Sequence, residues 1–211
     1  MSKIDELAQA VETGKAKIVP QLVQEALDEG IDPMEILNKG MIDAMGVVGE
    51  KFKNNEIFVP EMLVAARAMK KGVDVVKPHL GAGNSATIGK MIMGTVAGDL
   101  HDIGKNLVIM MIESAGFEVV DLGVDVPIDR FLEAAADPDV NIVGCSALLT
   151  TTMPSLRDTV AALNAAPNRS QFKIMVGGAP ITQEFADEIG ADCYTDDAAA
   201  AAEAAKKLVQ G

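Results

Sequence analysis

Asp99-Leu-His101-Asp102-Ile103-Gly104 brings an imidazole, two carboxylates and a glycine into six positions. Ser146-Ala-Leu148 begins forty-two positions after Gly104, and Gly177-Gly178 begins twenty-nine positions after Leu148. Each stretch stands at the end of an apolar run, at distances that would complete one cofactor site. Asp-x-His-x-x-Gly alone is weak evidence, since chance supplies it in on the order of one chain in a hundred of this size. Taken singly, the histidine could be a surface residue, Asp99 and Asp102 could cap a helix, and Gly177-Gly178 could be a strand-end turn. All three spacings hold together, and that points to a site.

The elements that position these residues change character along the chain. From residue 3 to about 80 the apolar period is helical. Ile4, Leu7 and Val11 mark one helix, and Ile18, Leu22, Ala26 and Leu27 mark a second, closed by Gly30. Asp32-Pro33-Met-Glu35 starts a third, with an Asp cap, Pro in the first turn and Glu placed to cap reciprocally. It carries Ile36, Leu37, Met41, Met45 and Val48 towards Phe52. A fourth opens at Pro60 and stops at Pro78. Four helices with short turns predict a bundle over residues 1–80. Gly81-Ala-Gly-Asn-Ser-Ala-Thr87 has a linker composition, and the linker is drawn over 81–89.

Over 90–211 apolar strands alternate with helices, the strands at Lys90–Val96, Glu118–Leu122, Ile142–Ala147, Lys173–Val176 and Asp192–Thr195. That alternation predicts a doubly wound parallel five-stranded sheet of flavodoxin-like or Rossmann-like type, in the order 2-1-3-4-5. Ligands of such sheets bind beyond the carboxyl ends of the strands, where strand order reverses. The Asp99–His101 loop ends strand one, Ser146 ends strand three and Gly177-Gly178 ends strand four, so all three would converge on one crevice. Neither a phosphate-loop Lys nor Gly-x-Gly-x-x-Gly follows the first strand, which counts against a nucleotide cofactor.

Composition sets the limits. Hydrophobic residues make up 49% and aromatics 3%, with no Trp, so the core must use Ala, Val, Ile, Leu and the 12 Met. Residues 1–80 carry 10 basic and 13 acidic side chains, net −3, and residues 90–211 carry 8 and 18, net −10. Such a chain is repelled by nucleic acid and by anionic membranes. Met1-Ser-Lys-Ile does not begin a signal segment and no uncharged run is long enough to span a bilayer, so a cytoplasmic protein is expected. Cys145 and Cys193 lack metal-ligand spacing and read as small buried hydrophobes.

The three motifs together resemble the cobalamin-binding module shared by methionine synthase, corrinoid methyl carriers and cobalamin-dependent mutases. Gly46-Val-Val-Gly-Glu50-Lys-Phe52 and Glu56-Ile-Phe58-Val-Pro60-Glu resemble the helical cap of methionine synthase and of the carriers, so the likeness covers nearly the whole chain. The resemblance implies cobalamin (as methylcobalamin or cob(I)alamin) or another corrinoid, bound with its tail base detached from cobalt and buried in the crevice. It implies His101 as the axial cobalt ligand, Asp99 as the acceptor for its other nitrogen, and a hydroxyl relay ending at Thr152, where others have Ser. Gly104 would let the chain turn under the corrin, with Gly98, Asp102 and Ile103 beside it. Ser146, Leu148 and Thr150 would line the tail slot, Gly177-Gly178 would admit the nucleotide, and Tyr194 would stand near it. Phe58, Val59 and Met62 would shield the upper face of the corrin.

By the same resemblance the function is that of a non-catalytic carrier subunit. It would receive a methyl group from a substrate-specific methyltransferase and yield it to an acceptor methyltransferase using tetrahydrofolate or coenzyme M, with a reductive activase as a further partner. The small subunit of an adenosylcobalamin mutase is an alternative, disfavoured because it does not need the helical cap. A cobalamin-dependent sensor is another, disfavoured as a DNA reader by the acidic charge. Nothing in the crevice motifs names the methyl donor.

Overall fold

The structure, a computed structural model, describes residues 2–80 and 87–210. Most of the linker expected over 81–89, residues 81–86, lies outside the described residues. The described residues form two compact units, one of residues 2–80 and 87 with 113–116 and one of residues 88–112 and 117–210.

The helical unit holds α1 (Lys3–Glu12), α2 (Val19–Asp28), α3 (Pro33–Leu37), α4 (Asp43–Lys53) and α5 (Val59–Val76). A π-helical turn, Asn38–Ile42, joins α3 to α4. The third helix of the sequence reading is therefore one helix interrupted by a wide turn. Gly40 lies in this turn against the Leu7 side chain, closer than a Cβ there would allow. Asp32 caps α3 by accepting hydrogen bonds from the Met34 and Glu35 amides. The expected reciprocal cap from Glu35 is not formed, because that carboxylate accepts from Lys39 Nζ instead, at 2.9 Å. The buried stripe of α2 is Val19, Val23 and Ala26, one position on from the expected Ile18-Leu22 face, and Ile18 is exposed.

The second unit is the expected doubly wound sheet, with strands β1 (Lys90–Val96), β2 (Glu118–Val126), β3 (Val140–Ser146), β4 (Lys173–Gly177) and β5 (Cys193–Tyr194), all parallel. Their order is β2-β1-β3-β4-β5. Between them run α6 (Ile103–Ser114), α7 (Ile128–Ala135), α8 (Met153–Asn164), α9 (Gln183–Ile189) and, last, α10 (Ala198–Gln210). Right-handed crossovers send connections that run in opposite directions along the sheet to opposite faces. On one face Ile92, Val143 and Ile174 pack with Phe131 of α7, Leu156 and Val160 of α8 and Ile189 of α9. On the other, Met91, Met93 and Met175 line a cavity together with Leu107 and Val108 of α6 and Ala198 and Ala201 of α10.

β2 departs from the expected strand. Between Met93 and Val96 of β1 it advances from Asp121 to Val126, so two extra residues bulge out, with shifts at Gly123 and before Val126. Gly123 has φ +89 and Asp125 φ +52. The strand expected over Glu118–Leu122 runs on through Gly123, since a glycine within a strand pattern can mark a bulge.

Candidate functional site

Asp99 is the centre of the site. The chain leaves β1 at Val96, turns at Gly98 and places the Asp99 carboxylate fully out of solvent. Oδ1 accepts from the His101 backbone amide at 3.1 Å and faces His101 Nδ1 at 2.7 Å. Oδ2 accepts from the Leu148 amide at 2.7 Å, the Leu149 amide at 3.3 Å and the Thr152 hydroxyl at 2.7 Å. The loop after β1 is thus tied to the loop after β3 at the point where strand order reverses.

Burial by itself would raise the Asp99 pKa. The donors from Leu148, Thr152 and His101 outweigh it and hold the carboxyl well below the usual carboxylate range. A buried carboxylate that stays ionised can only accept, so His101 must carry its proton on Nδ1. The Nε2 lone pair is then free, and among the described residues no protein group bonds to it. The His101 side chain is half-exposed. Its carbonyl is fixed by the hydroxyl of fully buried Thr95, at 2.9 Å. Thr95 escaped the sequence reading because a threonine in an apolar strand carries no motif signal.

A cavity of about 580 Å³ opens beside this pair. Of the expected site residues, His101, Asp102, Ile103, Gly104, Ser146, Leu148, Gly177 and Gly178 line it. Gly178 is required by its backbone: φ is +135, and a Cβ there would overlap the Ala147 carbonyl oxygen. At Gly104, in the first turn of α6, φ is not positive and a Cβ would meet nothing within 4 Å. The backbone there does not need glycine, and the space beside it is open. Gly144, missed in the sequence, lies beneath the ends of Met91 and Met93, which occupy the space a Cβ would take.

Asp99 itself stands behind His101, and four other expected residues of the sheet unit also stand off the cavity. Gly98 serves the loop, with φ +84. Thr152 is buried behind Asp99 as its hydrogen-bond donor. Thr150 is exposed in a short 3-10 turn. Tyr194 packs on the opposite face of the sheet, against the core that holds Phe185, because side chains alternate along β5; the neighbouring Thr195 lines the cavity instead. Cys145 is the buried small hydrophobe expected, its thiol pushed up by burial, and Cys193 is half-buried. In the helical unit, Phe58 is 64% exposed at the start of α5 and Val59 is partly buried. Met62 is buried on the same α5 stripe as Ala65, Met69, Gly72 and Val76.

The donor set around His101 suits a particular kind of metal. Among the described residues no cluster of three His, Cys, Asp or Glu side chains could hold an ion. A metal bound by one imidazole must bring its other ligands with it, as a macrocycle does. Within the motif, Leu100 and Ile103 flank His101-Asp102 and are 72% and 86% exposed, an apolar surface open to a partner. Fold and site together define an α/β domain of the cofactor-binding class, with a cavity at the strand ends beside one oriented imidazole.

The chain belongs to the B12-binding family of corrinoid proteins. Residues 89–205 match the B12 binding domain, and residues 3–77 match a second family of the same description. The chain is 45% identical to dimethylamine corrinoid protein 1 of Methanosarcina acetivorans over 98% of its length and 97% of the relative's. A corrinoid protein of Desulfitobacterium hafniense is 40% identical over 99% and 98%. Among solved structures, the methanol:cobalamin methyltransferase complex of Methanosarcina barkeri superposes with a TM-score of 0.86 at 31% identity, covering 99% of this chain and 80% of that one. Among the described residues no helix is long and apolar enough to cross a membrane.

Proposed function

We propose that this protein binds a corrinoid with its tail in the crevice and His101 as the lower cobalt ligand, and carries a methyl group between two methyltransferases. The observation that carries the proposal is the free Nε2 of His101, oriented by a buried and fully hydrogen-bonded carboxylate beside an apolar cavity. When bound, the corrinoid supplies a metal centre that takes up and gives up a methyl group. The residues of this chain do the rest. Asp99 fixes the tautomer and the orientation of His101. Gly177, Gly178 and the apolar walls make room for the tail. The shielding role of the helical unit rests on Phe58, whose ring is exposed; Met62 is committed to the bundle interior.

Likeness over nearly the full length of proteins named for dimethylamine and trimethylamine favours a carrier over a mutase subunit or a sensor, and methylamines are the donors to test first. The partners would be a methylamine-specific methyltransferase, an acceptor methyltransferase and a reductive activase. Purified protein incubated with cobalamin should turn red and hold about one corrinoid per chain, as one crevice of this kind implies. The loaded protein should then be methylated by a dimethylamine- or trimethylamine-specific methyltransferase. A colourless protein would overturn the binding reading. A red protein that no methylamine or methanol methyltransferase can methylate would overturn the carrier reading.

A further inference from the structure

Asp125 stands outside every motif considered so far, yet it holds both ends of the Gly98-Asp99 segment. Its Oδ1 accepts from the Gly98 amide at 2.7 Å. Its own amide donates to the Asp99 carbonyl at 2.9 Å. Both bonds come from one residue because its φ of +52, in the left-handed region, turns amide and carboxylate towards the same loop. Asp is among the few non-glycine residues that adopt this conformation, at a modest cost. The residue lies in the second of the two β2 bulges, where one extra residue opposes β1 just before Val126. Bulges beside functional sites re-aim a side chain in this way.

We infer that Asp125 is a positioning residue for His101, acting through the Gly98-Asp99 segment. The inference rests on the proposed ligand role of His101. The Asp99 side chain is already fixed by its donors from the β3 loop and from His101 itself. Its backbone carbonyl is held separately, by the Asp125 amide, while its own amide donates to the Val96 carbonyl at 3.1 Å. Among the described residues Asp99 carries the only side-chain bond on the His101 ring, so a drift of its backbone is passed on to Nε2. Errors of about 0.5 Å matter at such a site. A carboxylate left without its supporting backbone bonds would orient the imidazole over a wider range.

The test uses full-length protein and three substitutions. Asp125→Asn keeps an acceptor and tolerates the left-handed backbone. Asp125→Gly keeps the backbone freedom and removes the acceptor. Asp125→Ala removes both. Amide hydrogen exchange at Gly98, read without cofactor, should quicken at least tenfold in the Gly and Ala variants and stay near normal in the Asn variant. After cobalamin is bound and brought to the cobalt(II) state, the fraction of protein showing spin-resonance splitting by a protein nitrogen should fall at least threefold in the Gly variant. The Asn variant should restore it. Should Gly98 exchange quicken in the Gly variant while the splitting stays complete, Asp125 is only a turn residue and the inference is overturned. Unchanged Gly98 exchange in that variant overturns it too. His101→Ala serves as the control: loss of splitting there shows that a failure at Asp125 concerns the inference alone. Splitting that survives in His101→Ala overturns the ligand assignment, and the positioning role with it.

Discussion

Thr152 Oγ1 lies 2.7 Å from Asp99 Oδ2, so a hydroxyl at the start of α8 completes the shell of a carboxylate fifty-three positions earlier. The same hydroxyl lies 3.0 Å from the Leu149 carbonyl, and with one proton it can serve only one acceptor at a time. The ionised carboxylate is the stronger acceptor. Thr152→Ser should therefore change little. Thr152→Val should lower unfolding stability by about 1–3 kcal/mol, the range for a lost bond to a charged group. Chemical denaturation of both variants checks this, and a valine variant as stable as the serine one would mean that the hydroxyl serves Leu149.

The depressed pKa of Asp99 sets the sign of its pH dependence. The folded state favours the ionised form, so its contribution is present above the ordinary carboxylate range and is lost as pH falls below it. The stability difference between the protein and Asp99→Asn should be large near pH 6 and shrink steadily below about pH 4. Denaturation series at several pH values measure it. A gap that widened towards acid would mean that burial, not hydrogen bonding, dominates the site.

Gly178 and Gly144 should fail in different ways. At Gly178 an added Cβ meets backbone and φ is +135, so Gly178→Ala should destabilise by at least ~2 kcal/mol and release the loop after β4. Thermal unfolding of the cofactor-free protein would register the loss.

At Gly144 the obstacles are the flexible ends of Met91 and Met93, which can swing aside into the cavity. Gly144→Ala should cost less than about 1 kcal/mol in stability. It should also weaken cobalamin binding by at least tenfold, since the displaced thioethers occupy the tail slot. Titration followed by visible absorbance separates the two quantities, and unchanged affinity would place the tail elsewhere.

The sequence by itself determined most of the site's chemistry. Residue types at fixed local offsets survive any tertiary arrangement: Asp99 and His101, two positions apart, had to leave β1 together. The strand–helix alternation pointed to a parallel doubly wound sheet, and the order found, β2-β1-β3-β4-β5, brings the loops after β1, β3 and β4 to one edge. Glycine readings were less secure, because a sequence shows that a glycine is present and not whether backbone, neighbour or ligand requires it. Gly178 needs its conformation, while the backbone at Gly104 does not need glycine.

Tertiary structure decided the rest, for reasons of geometry. Tyr194 and Thr195 are adjacent in sequence, but the pleat sends one to the core and the other to the cavity. The stripe of α2 shifted by one residue because packing selected Val19 over Ile18. Leu148 was expected to contribute its side chain, and it also contributes its amide to Asp99. Asp125 entered the site only because β2 bulges twice where β1 does not. A bulge depends on the register between two strands, and no single strand's residues encode that register alone.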